Sequence, residues 1–235
     1  MEFDKNYLKI NLEITPEVAR IHAHICGDGS FYTTTEKRSP GTLLKHKRRD
    51  IIRTEHVIEY YNEYSELRNE FKRDFKIAFN RNILTKNKKI KVRGSKWIAE
   101  KLELTQKSSY NWYIPKFITN SSKTIISYWL RAFFDDEGYI NHKSIYLVVV
   151  NKKGIIQIQG LLKRLEIESI LFKPRIPNNP RHHTAYRIGI LGPNVIKFYK
   201  LINFIHPRKN EKLKEIVKKK WGVRNSQKCL KKQFI

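Results

Sequence analysis

The sequence predicts an α+β protein built from two similar halves, each with the element order α-β-β-α-β-β-α. Short sequence echoes recur in the same order in both halves, and the helix and strand patterns of the halves match. The first half is predicted to span residues 1–118 and the second half residues 119–235, with a junction near 115–120. We therefore predict one antiparallel sheet in each half, with the helices packed on one face of the sheet and the other face free.

Three echoes support the duplication. The segment AHICGDGSF at 23–31 aligns without gaps with AFFDDEGYI at 132–140. A single echo of this kind would carry little weight, but three in the same order indicate a repeat. The other two match IEYYN at 58–62 with LVVVN at 147–151, and IKVRG at 90–94 with IGILG at 188–192.

Capping residues and apolar spacing locate the elements. Thr15 and Pro16 suit the start of a helix that carries Val18, Ile21 and Ile25 at helical spacing. Ser121 or Ser122 suits the start of the equivalent helix in the second half. The remaining predicted elements are strands at 30–35 and 52–61, a helix with Leu67, Phe71, Phe75 and Ile77, strands at 139–143 and 145–150, a helix with Ile158, Leu161, Leu162 and Leu165, strands at 170–176 and 186–191, and a helix at 195–204.

The charge of the chain indicates a polyanionic partner. Lys and Arg number 48 against 22 Asp and Glu, which gives a net charge of +26. Nucleic acid is the leading partner, because the basic residues run through the whole chain and do not form one amphipathic helix for a membrane surface. The 40% hydrophobic content excludes global disorder.

The two cysteines, Cys26 and Cys229, form no disulfide framework and suit a reducing compartment. The chain shows no signal peptide and no apolar stretch of membrane-spanning length. We therefore expect a soluble intracellular protein of the cytoplasm, the nucleoid or an organelle, with no membrane partner.

Two acids occupy equivalent positions in the repeat. Asp28 and Glu137 each lie at the C-terminal end of a predicted apolar helix, where the helix dipole disfavours a negative charge by roughly 0.3–1 kcal/mol. One such acid is adequately explained by a Gly-Asp-Gly turn, but the pair favours a bound cation. Ala19, Ala23 and Ala132 would let the two helices pack closely, although alanine is also simply a good helix former.

The segments HAHICGDG at 22–29 and RAFFDDEG at 131–138 resemble the two signature motifs of single-chain LAGLIDADG homing endonucleases. The resemblance implies that the motif helices form the interface between the halves. It also implies that Asp28 and Glu137 bind the catalytic metals, assisted by the carbonyl oxygens of Gly27 and Asp136.

The activity implied by the resemblance is hydrolysis of one phosphodiester in each strand of a long, asymmetric double-stranded DNA site by a monomer. The implied cofactor is Mg²⁺, with Mn²⁺ as a substitute and Ca²⁺ supporting binding only. The family often places a basic residue near each site, and Lys116 and Lys209 occupy comparable positions; an ordinary solvated lysine is the alternative for each. His22 and His24 depart from the family pattern and are interpreted as packed or interface-lining side chains.

Strand alternation predicts which residues face the partner. Phe31, Ile58, Ile140, Ile176 and Ile188 are predicted to point into the core, as are Tyr60 and Phe172. The opposite faces would form a saddle for DNA, since their polar and basic side chains suit base edges and phosphates; a solvated sheet face is the alternative. The predicted DNA-binding residues are Ser30, Tyr32, Thr34, Arg49, Arg53, Tyr139, Asn141, Lys143, Lys173, Arg175 and Arg187.

Two other functions fit the same fold: an RNA-splicing maturase and a non-catalytic DNA-binding regulator. An acid in both motifs favours a nuclease over the regulator and says less against the maturase. The sequence shows no flanking self-splicing segment, which favours an intron-encoded enzyme over an intein.

Overall fold

The computed structural model describes residues 14–38, 51–104, 109–179 and 181–221. Helices and strands follow the predicted order in both halves, with one short linking helix and one C-terminal helix in addition. The elements are α1 Pro16–Cys26, β1 Gly29–Arg38, β2 Ile51–Tyr61, α2 Ser65–Phe79, β3 Thr85–Lys86, β4 Lys89–Arg93, α3 Lys96–Lys101, α4 Lys116–Thr119, α5 Lys123–Glu137, β5 Gly138–Asn141, β6 Ser144–Val149, α6 Lys152–Arg164, β7 Ile170–Leu171, β8 Tyr186–Ile190, α7 Asn194–Leu201 and α8 Pro207–Trp221.

The two halves have the same sheet topology. One sheet has the strand order β1-β2-β4-β3 and the other β5-β6-β8-β7, and all pairings are antiparallel. The predicted fold class is therefore confirmed. None of the described helices is long and apolar enough to cross a membrane.

The echoed residues have matching structural roles. Asn62 and Asn151 each follow the second strand of their sheet, and their side-chain oxygens accept hydrogen bonds from the main-chain N–H groups of Tyr64 and Gly154. Gly94 and Gly192 each follow the fourth strand of their half, β4 and β8, with φ of 64° and 56°. A positive φ favours glycine, so this echo reflects a backbone requirement at the same point of both repeats.

Helices α1 and α5 begin as the capping residues predict. The Thr15 hydroxyl accepts a hydrogen bond from the N–H of Val18, and the Ser122 hydroxyl accepts one from the N–H of Ile125. Each bond satisfies one of the N–H groups that a helix start leaves without a partner.

Helix α1 packs against α5 at the interface of the two halves. Val18, Ile21 and Ile25 belong to the core of the first half. Ala19 and Ala23, with their small side chains, belong instead to the core of the second half, together with Ala132. The close packing predicted for the two motif helices is confirmed. Trp112, Ile114 and Ile118, which precede α5, also pack in that second core.

The structure differs from the sequence prediction at three apolar residues. Ile77 is 60% exposed near the end of α2, where only one face of the helix meets the sheet. Strand β7 is two residues long, so the expected alternation over 170–176 does not hold. Ile176 is 77% exposed as a result, and Phe172 lies against Tyr146 and Arg187, whose strand positions belong to the free face of the sheet.

Candidate active site

The C-terminal ends of α1 and α5 bring Asp28 and Glu137 together. Both acids line one cavity of about 610 Å³, along with Gly27, Ser30 and Val148. They reach it because α1 and α5 pack side by side, and Asp28 lies two residues after the end of α1 while Glu137 is the last residue of α5. The juxtaposition that the duplicated motif predicts is present.

A third acid, Asp136, lies beside this pair with a buried side chain. Its carboxylate lies 2.9 Å from His24 Nδ1 and accepts hydrogen bonds from the hydroxyl of Tyr60 at 3.0 Å and the amide of Asn62 at 3.3 Å. Burial would lower the pKa of His24, but the charges and hydrogen bonds of Asp136 and Glu70 raise it to about 10. His24 is therefore an imidazolium that lies against the Asp136 side chain, and it is packed at the interface as the sequence interpretation expected.

Asn62 connects the acids of the two halves. Its amide Nδ2 donates to Asp28 at 2.9 Å and to Asp136 at 3.3 Å. Partial burial and the negative charges of Asp136 and Glu137 raise the pKa of Asp28 to about 7, against the opposing charges of Lys209 and His24. Because Asp28 remains exposed on one side, solvent weakens the burial contribution and the neighbouring carboxylates matter more.

Lys209 lies at the same end of α5. Its ammonium donates to the carbonyl oxygens of Phe134, Asp135 and Asp136 at 3.2, 2.6 and 3.3 Å. Burial lowers its pKa, against the attraction of the surrounding acids, which include Asp28. The structure thus brings this predicted lysine to the acids.

Lys116 has a different environment. It is exposed at the first position of α4, and its carbonyl accepts the N–H of Asn120. Pro115 precedes α4, whereas Pro207 is the first residue of α8, so the two prolines lie at different points of their helices. The assignment of Lys116 to a site remains a prediction, whereas the half-buried Lys209 lies at the acids.

The acids suit a hard divalent cation, although the protein alone does not complete its ligand shell. Asp28 and Glu137 offer two carboxylates, and burial together with the charges of Asp136 and Glu137 raises the pKa of Asp28; a cation would relieve the repulsion between the acids. The described residues contain no preformed group of three or more His, Cys, Asp and Glu side chains for a metal. Mg²⁺ commonly uses one or two carboxylates and takes its other ligands from water and substrate phosphate. The residues therefore fit Mg²⁺ in the presence of a phosphate substrate.

Buried ion pairs support the helices behind the acids. Arg20 of α1 donates to Asp74 of α2 at 2.6 Å, and Arg131 of α5 donates to Glu70 of α2 at 2.8 Å. Asp135, which aligns with Cys26 in the repeat, accepts the N–H groups of Ile205 and His206 just before α8. Asp135 thereby holds the start of the helix that carries Lys209.

The free face of the first sheet carries the expected polar residues. Ser30, Tyr32 and Thr34 lie directly opposite Glu59, Val57 and Glu55, on the side away from the core. The three basic residues that β4 contributes to this face are paired: Lys89 and Lys91 contact Glu59 at 2.9 and 3.3 Å, and Arg93 contacts Glu55 at 2.5 Å. Arg49 lies outside the described residues, and Arg53 lies near the start of β2.

In the second half, Tyr139, Asn141 and Arg187 lie on the free face of the sheet, and all three are exposed. Arg175 is exposed in an isolated bridge with Ala185, and Lys173 is exposed after the end of β7. Lys143 is exposed in the turn between β5 and β6. Phe172, expected in the core, instead lies with its ring 4.3 Å from the guanidinium carbon of Arg187. The prediction for Phe172 was wrong because Gly189 leaves room for its ring on the free face.

Known proteins have a similar fold. Residues 124–203 match the family described as LAGLIDADG-like domain. The homing endonuclease I-DmoI, solved in complex with DNA and Mn, is similar with a TM-score of 0.57 and 14% identity, over 81% of this chain and 97% of that one. This chain has the LAGLIDADG fold. The fold implied by the resemblance of the two motifs is confirmed, and the family match at residues 124–203 lies in the second half.

The LAGLIDADG fold alone leaves the activity open. Full-length DUF199/WhiA from Thermatoga maritima is similar to this chain with a TM-score of 0.51 and 15% identity, over 92% of this chain and 65% of that one. The same fold thus occurs in a homing endonuclease and in WhiA. The chemistry of this chain has to be argued from its own residues.

Segments with similar sequence occur in long proteins of Methanocaldococcus jannaschii. Glutamine–fructose-6-phosphate aminotransferase (isomerizing) is 28% identical over 224 residues, which are 93% of this chain and 19% of that protein. A DNA polymerase is 32% identical over 153 residues, which are 62% of this chain and 9% of that protein. Probable translation initiation factor IF-2 is 28% identical over 117 residues, 49% of this chain and 10% of that protein. The chain spans less than a fifth of the length of these relatives.

The close approach at Gly27 gives a testable prediction. A methyl group at this position would lie 2.7 Å from Cβ and Oδ2 of Asp136, which His24 and Tyr60 hold in place. We expect Gly27→Ala to lower the free energy of unfolding by about 1–3 kcal/mol, the usual cost of overpacking. Gly160→Ala is the matched control, because a methyl group there meets nothing within 4 Å; it should raise stability by about 0.5–1 kcal/mol. Urea denaturation of both variants measures the difference, and equal effects would contradict the close approach.

Proposed function

We propose that this chain is a site-specific, metal-dependent DNA endonuclease that cuts both strands of a long asymmetric site and acts as a monomer. The observation that carries the proposal is the pairing of Asp28 and Glu137 at the ends of two packed helices. A non-catalytic protein gains nothing from two acids at mutually repelling positions, which cost stability, so their presence in both halves favours catalysis.

The residues around the acids have roles that follow from their contacts. Asp28 and Glu137 would bind Mg²⁺, with the carbonyl oxygens of Gly27 and Asp136 as further ligands. A divalent ion bound there would activate water and stabilise the leaving oxygen of a phosphodiester. Asn62 orients Asp28, and the Lys209 ammonium places a positive charge where negative charge develops in the transition state.

The form of the target follows from the two sheets. Each half presents one free face, and the two faces carry different side chains, so one chain would contact two different half-sites. I-DmoI has been solved with its target DNA in the presence of Mg, and with DNA and Ca. Together with the complex in Mn, those complexes support DNA as the partner and a divalent ion as the cofactor. Double-stranded DNA, Mg²⁺ or Mn²⁺ for cleavage and Ca²⁺ for binding alone are part of the proposal.

A mobile origin is part of the proposal. Similar segments occur in an aminotransferase, a DNA polymerase and a probable translation initiation factor, whose activities are unrelated. A segment common to such proteins is best explained as an insertion that accompanies different hosts. Because these segments belong to longer translated chains, they favour an in-frame insertion over the intron host that the sequence alone favoured.

Cleavage of a supercoiled plasmid library with a randomised insert tests the function. We expect linear product in Mg²⁺ or Mn²⁺, and none in Ca²⁺ or EDTA. Binding of duplex DNA without cleavage in any metal would support a DNA-binding regulator. Preference for structured RNA over duplex DNA would support a maturase.

The net charge of +26 predicts a steep dependence of DNA affinity on salt. The logarithm of the binding constant should fall by about 0.9 per log unit of salt for each phosphate neutralised. We expect Arg53→Ala and Arg187→Ala to weaken binding, and Lys76→Ala, an exposed change on α2, to leave it unchanged. Fluorescence anisotropy across salt concentrations in Ca²⁺ measures the slope, and a flat slope would contradict the predicted DNA interface.

A further inference from the structure

The free face of the second sheet carries a connected group of aromatic side chains, here called the aromatic strip: Tyr139, Tyr146 and Phe172. The rings of Tyr139 and Tyr146 stack with centroids 5.5 Å apart, and those of Tyr146 and Phe172 lie 6.2 Å apart. Within the described chain, none of the three belongs to either hydrophobic core. The strip is therefore apolar surface that the protein's own folding does not use.

The backbone of the sheet makes room for the strip. Gly189 lies directly opposite Tyr146 and Ile170, and a methyl group on it would lie 2.8 Å from the ring of Phe172 and 3.0 Å from that of Tyr146. Arg187 extends over the rings, with its guanidinium carbon 4.3 Å from the centroid of Phe172 and 5.5 Å from that of Tyr146. The strip is consequently an aromatic surface with a positive charge stacked on it.

The corresponding face of the first sheet has different chemistry. Lys89, Lys91 and Arg93 occupy its β4, paired with Glu59 and Glu55 of β2. The equivalent strand of the second sheet, β8, contributes only Arg187 and Gly189 to the face. The two halves therefore present a charged face and an aromatic face to the same partner.

We propose that the aromatic strip binds the C5-methyl groups of thymines in the major groove, so that the half-site under the second sheet is rich in thymine. This inference rests on the proposed function and names the bases that one sheet would contact. A partner of this surface must match both the apolar rings and the charge of +26. Duplex DNA does so, because it is a polyanion whose major groove exposes the thymine methyl beside the acceptors of guanine, to which Arg187 can donate.

The same chemistry disfavours RNA as the ligand of the strip. Uracil lacks the methyl group, and the major groove of an RNA helix is too deep and narrow for side chains to enter. Stacking on unpaired bases is a separate mode, in which thymine and uracil would bind equally well because both have an aromatic face.

The experiment compares thymidine with deoxyuridine, whose base lacks only the C5-methyl group. A duplex is first selected from a random library by binding to the full chain in Ca²⁺. Each half of the selected duplex is then made with deoxyuridine in place of thymine, and the dissociation constants are compared. We expect one half to lose affinity by roughly threefold for each methyl contact removed, and the other half to change little.

Two variants test whether the half of the duplex that is sensitive to deoxyuridine is the half bound by the second sheet. Phe172→Ala should bind the thymine and deoxyuridine forms of that half with nearly equal affinity. Leu171→Ala is the matched control, because Leu171 is exposed and pairs with the core-facing Ile188 on the opposite side of the sheet; it should retain the preference.

The outcomes separate the inference from the function on which it rests. Failure to select any duplex would overturn the proposed function. A selected duplex whose affinity is unchanged by deoxyuridine in both halves would overturn the thymine inference alone. Tighter binding of single strands or of RNA than of duplex, or a preference that survives Phe172→Ala, would also overturn it.

Discussion

Asp28→Asn and Glu137→Gln should each abolish cleavage in Mg²⁺ while leaving a folded protein that binds DNA in Ca²⁺. Each substitution keeps the shape of the side chain and removes the charge that a divalent ion requires. Because metal ions contribute several kcal/mol to such transition states, we expect the cleavage rate to fall by more than about a hundredfold. Single-turnover cleavage of a selected duplex measures the rate, and anisotropy in Ca²⁺ measures binding.

Stability should change in the opposite direction to activity. The pKa of Asp28 is raised to about 7 by burial and by the charges of Asp136 and Glu137. An acid whose pKa is raised on folding favours the folded state most at low pH, and this contribution is lost as the pH rises through 7. In EDTA, Asp28→Asn should therefore be more stable than the parent at pH 8 but not at pH 5. The gain should be at most about 1 kcal/mol, because Asp28 is exposed to solvent.

A matched control separates the loss of a site acid from the loss of any acid. Glu166 is exposed and pairs with Lys123, so Glu166→Gln should leave cleavage, binding and stability unchanged. If Asp28→Asn cuts at the parent rate, Asp28 is a turn residue and the proposed mechanism is wrong. If Asp28→Asn fails to fold, Asp28 is required for folding, and its proposed role as a metal ligand that folding does not need is wrong.

The position of the acids could be predicted from the sequence because the duplication defines it. Both motif helices have local starts, at Thr15 and Ser122, and an acid followed by glycine stands at the end of α5 and two residues after the end of α1. Lys209 could be proposed only from its place in the chain, since its contact with the end of α5 depends on how α8 folds back.

The partners of the acids could not be predicted in the same way. Asn62 belongs to one of the repeated segments of the sequence. Its counterpart Asn151, however, donates to the carbonyl of Trp112, whereas Asn62 donates to an acid. His24 and Glu70 are brought together by packing between α1 and α2, for which no short sequence pattern exists. The assignment of Phe172 was wrong for a different reason: Leu171 pairs with the core-facing Ile188, so alternation places Phe172 on the free face with Arg187, where Gly189 leaves room for its ring.

Glu70 is the acid on which stability should depend most. Its side chain is 8% exposed, and it contacts Arg131 at 2.8 Å, His24 at 3.6 Å and Arg20 at 3.7 Å. Burial would raise the pKa of Glu70, but the hydrogen bond to His24 and the charges of Arg131 and Arg20 lower it to about 2. A carboxylate with a lowered pKa stabilises the fold above its unfolded pKa, and that stability is lost only as the pH falls toward 2.

Glu70→Gln should lower the free energy of unfolding by about 3–5 kcal/mol at pH 7, because it leaves buried positive charges without their shared partner. Urea denaturation measures the loss. Glu66→Gln is the control on the same helix, since Glu66 is exposed and should tolerate the change. Adding Arg131→Met to Glu70→Gln should recover part of the stability, because one of the uncompensated charges is then removed. A loss below about 1 kcal/mol for Glu70→Gln, or no recovery in the double variant, would show that Glu70 does not hold α1, α2 and α5 together.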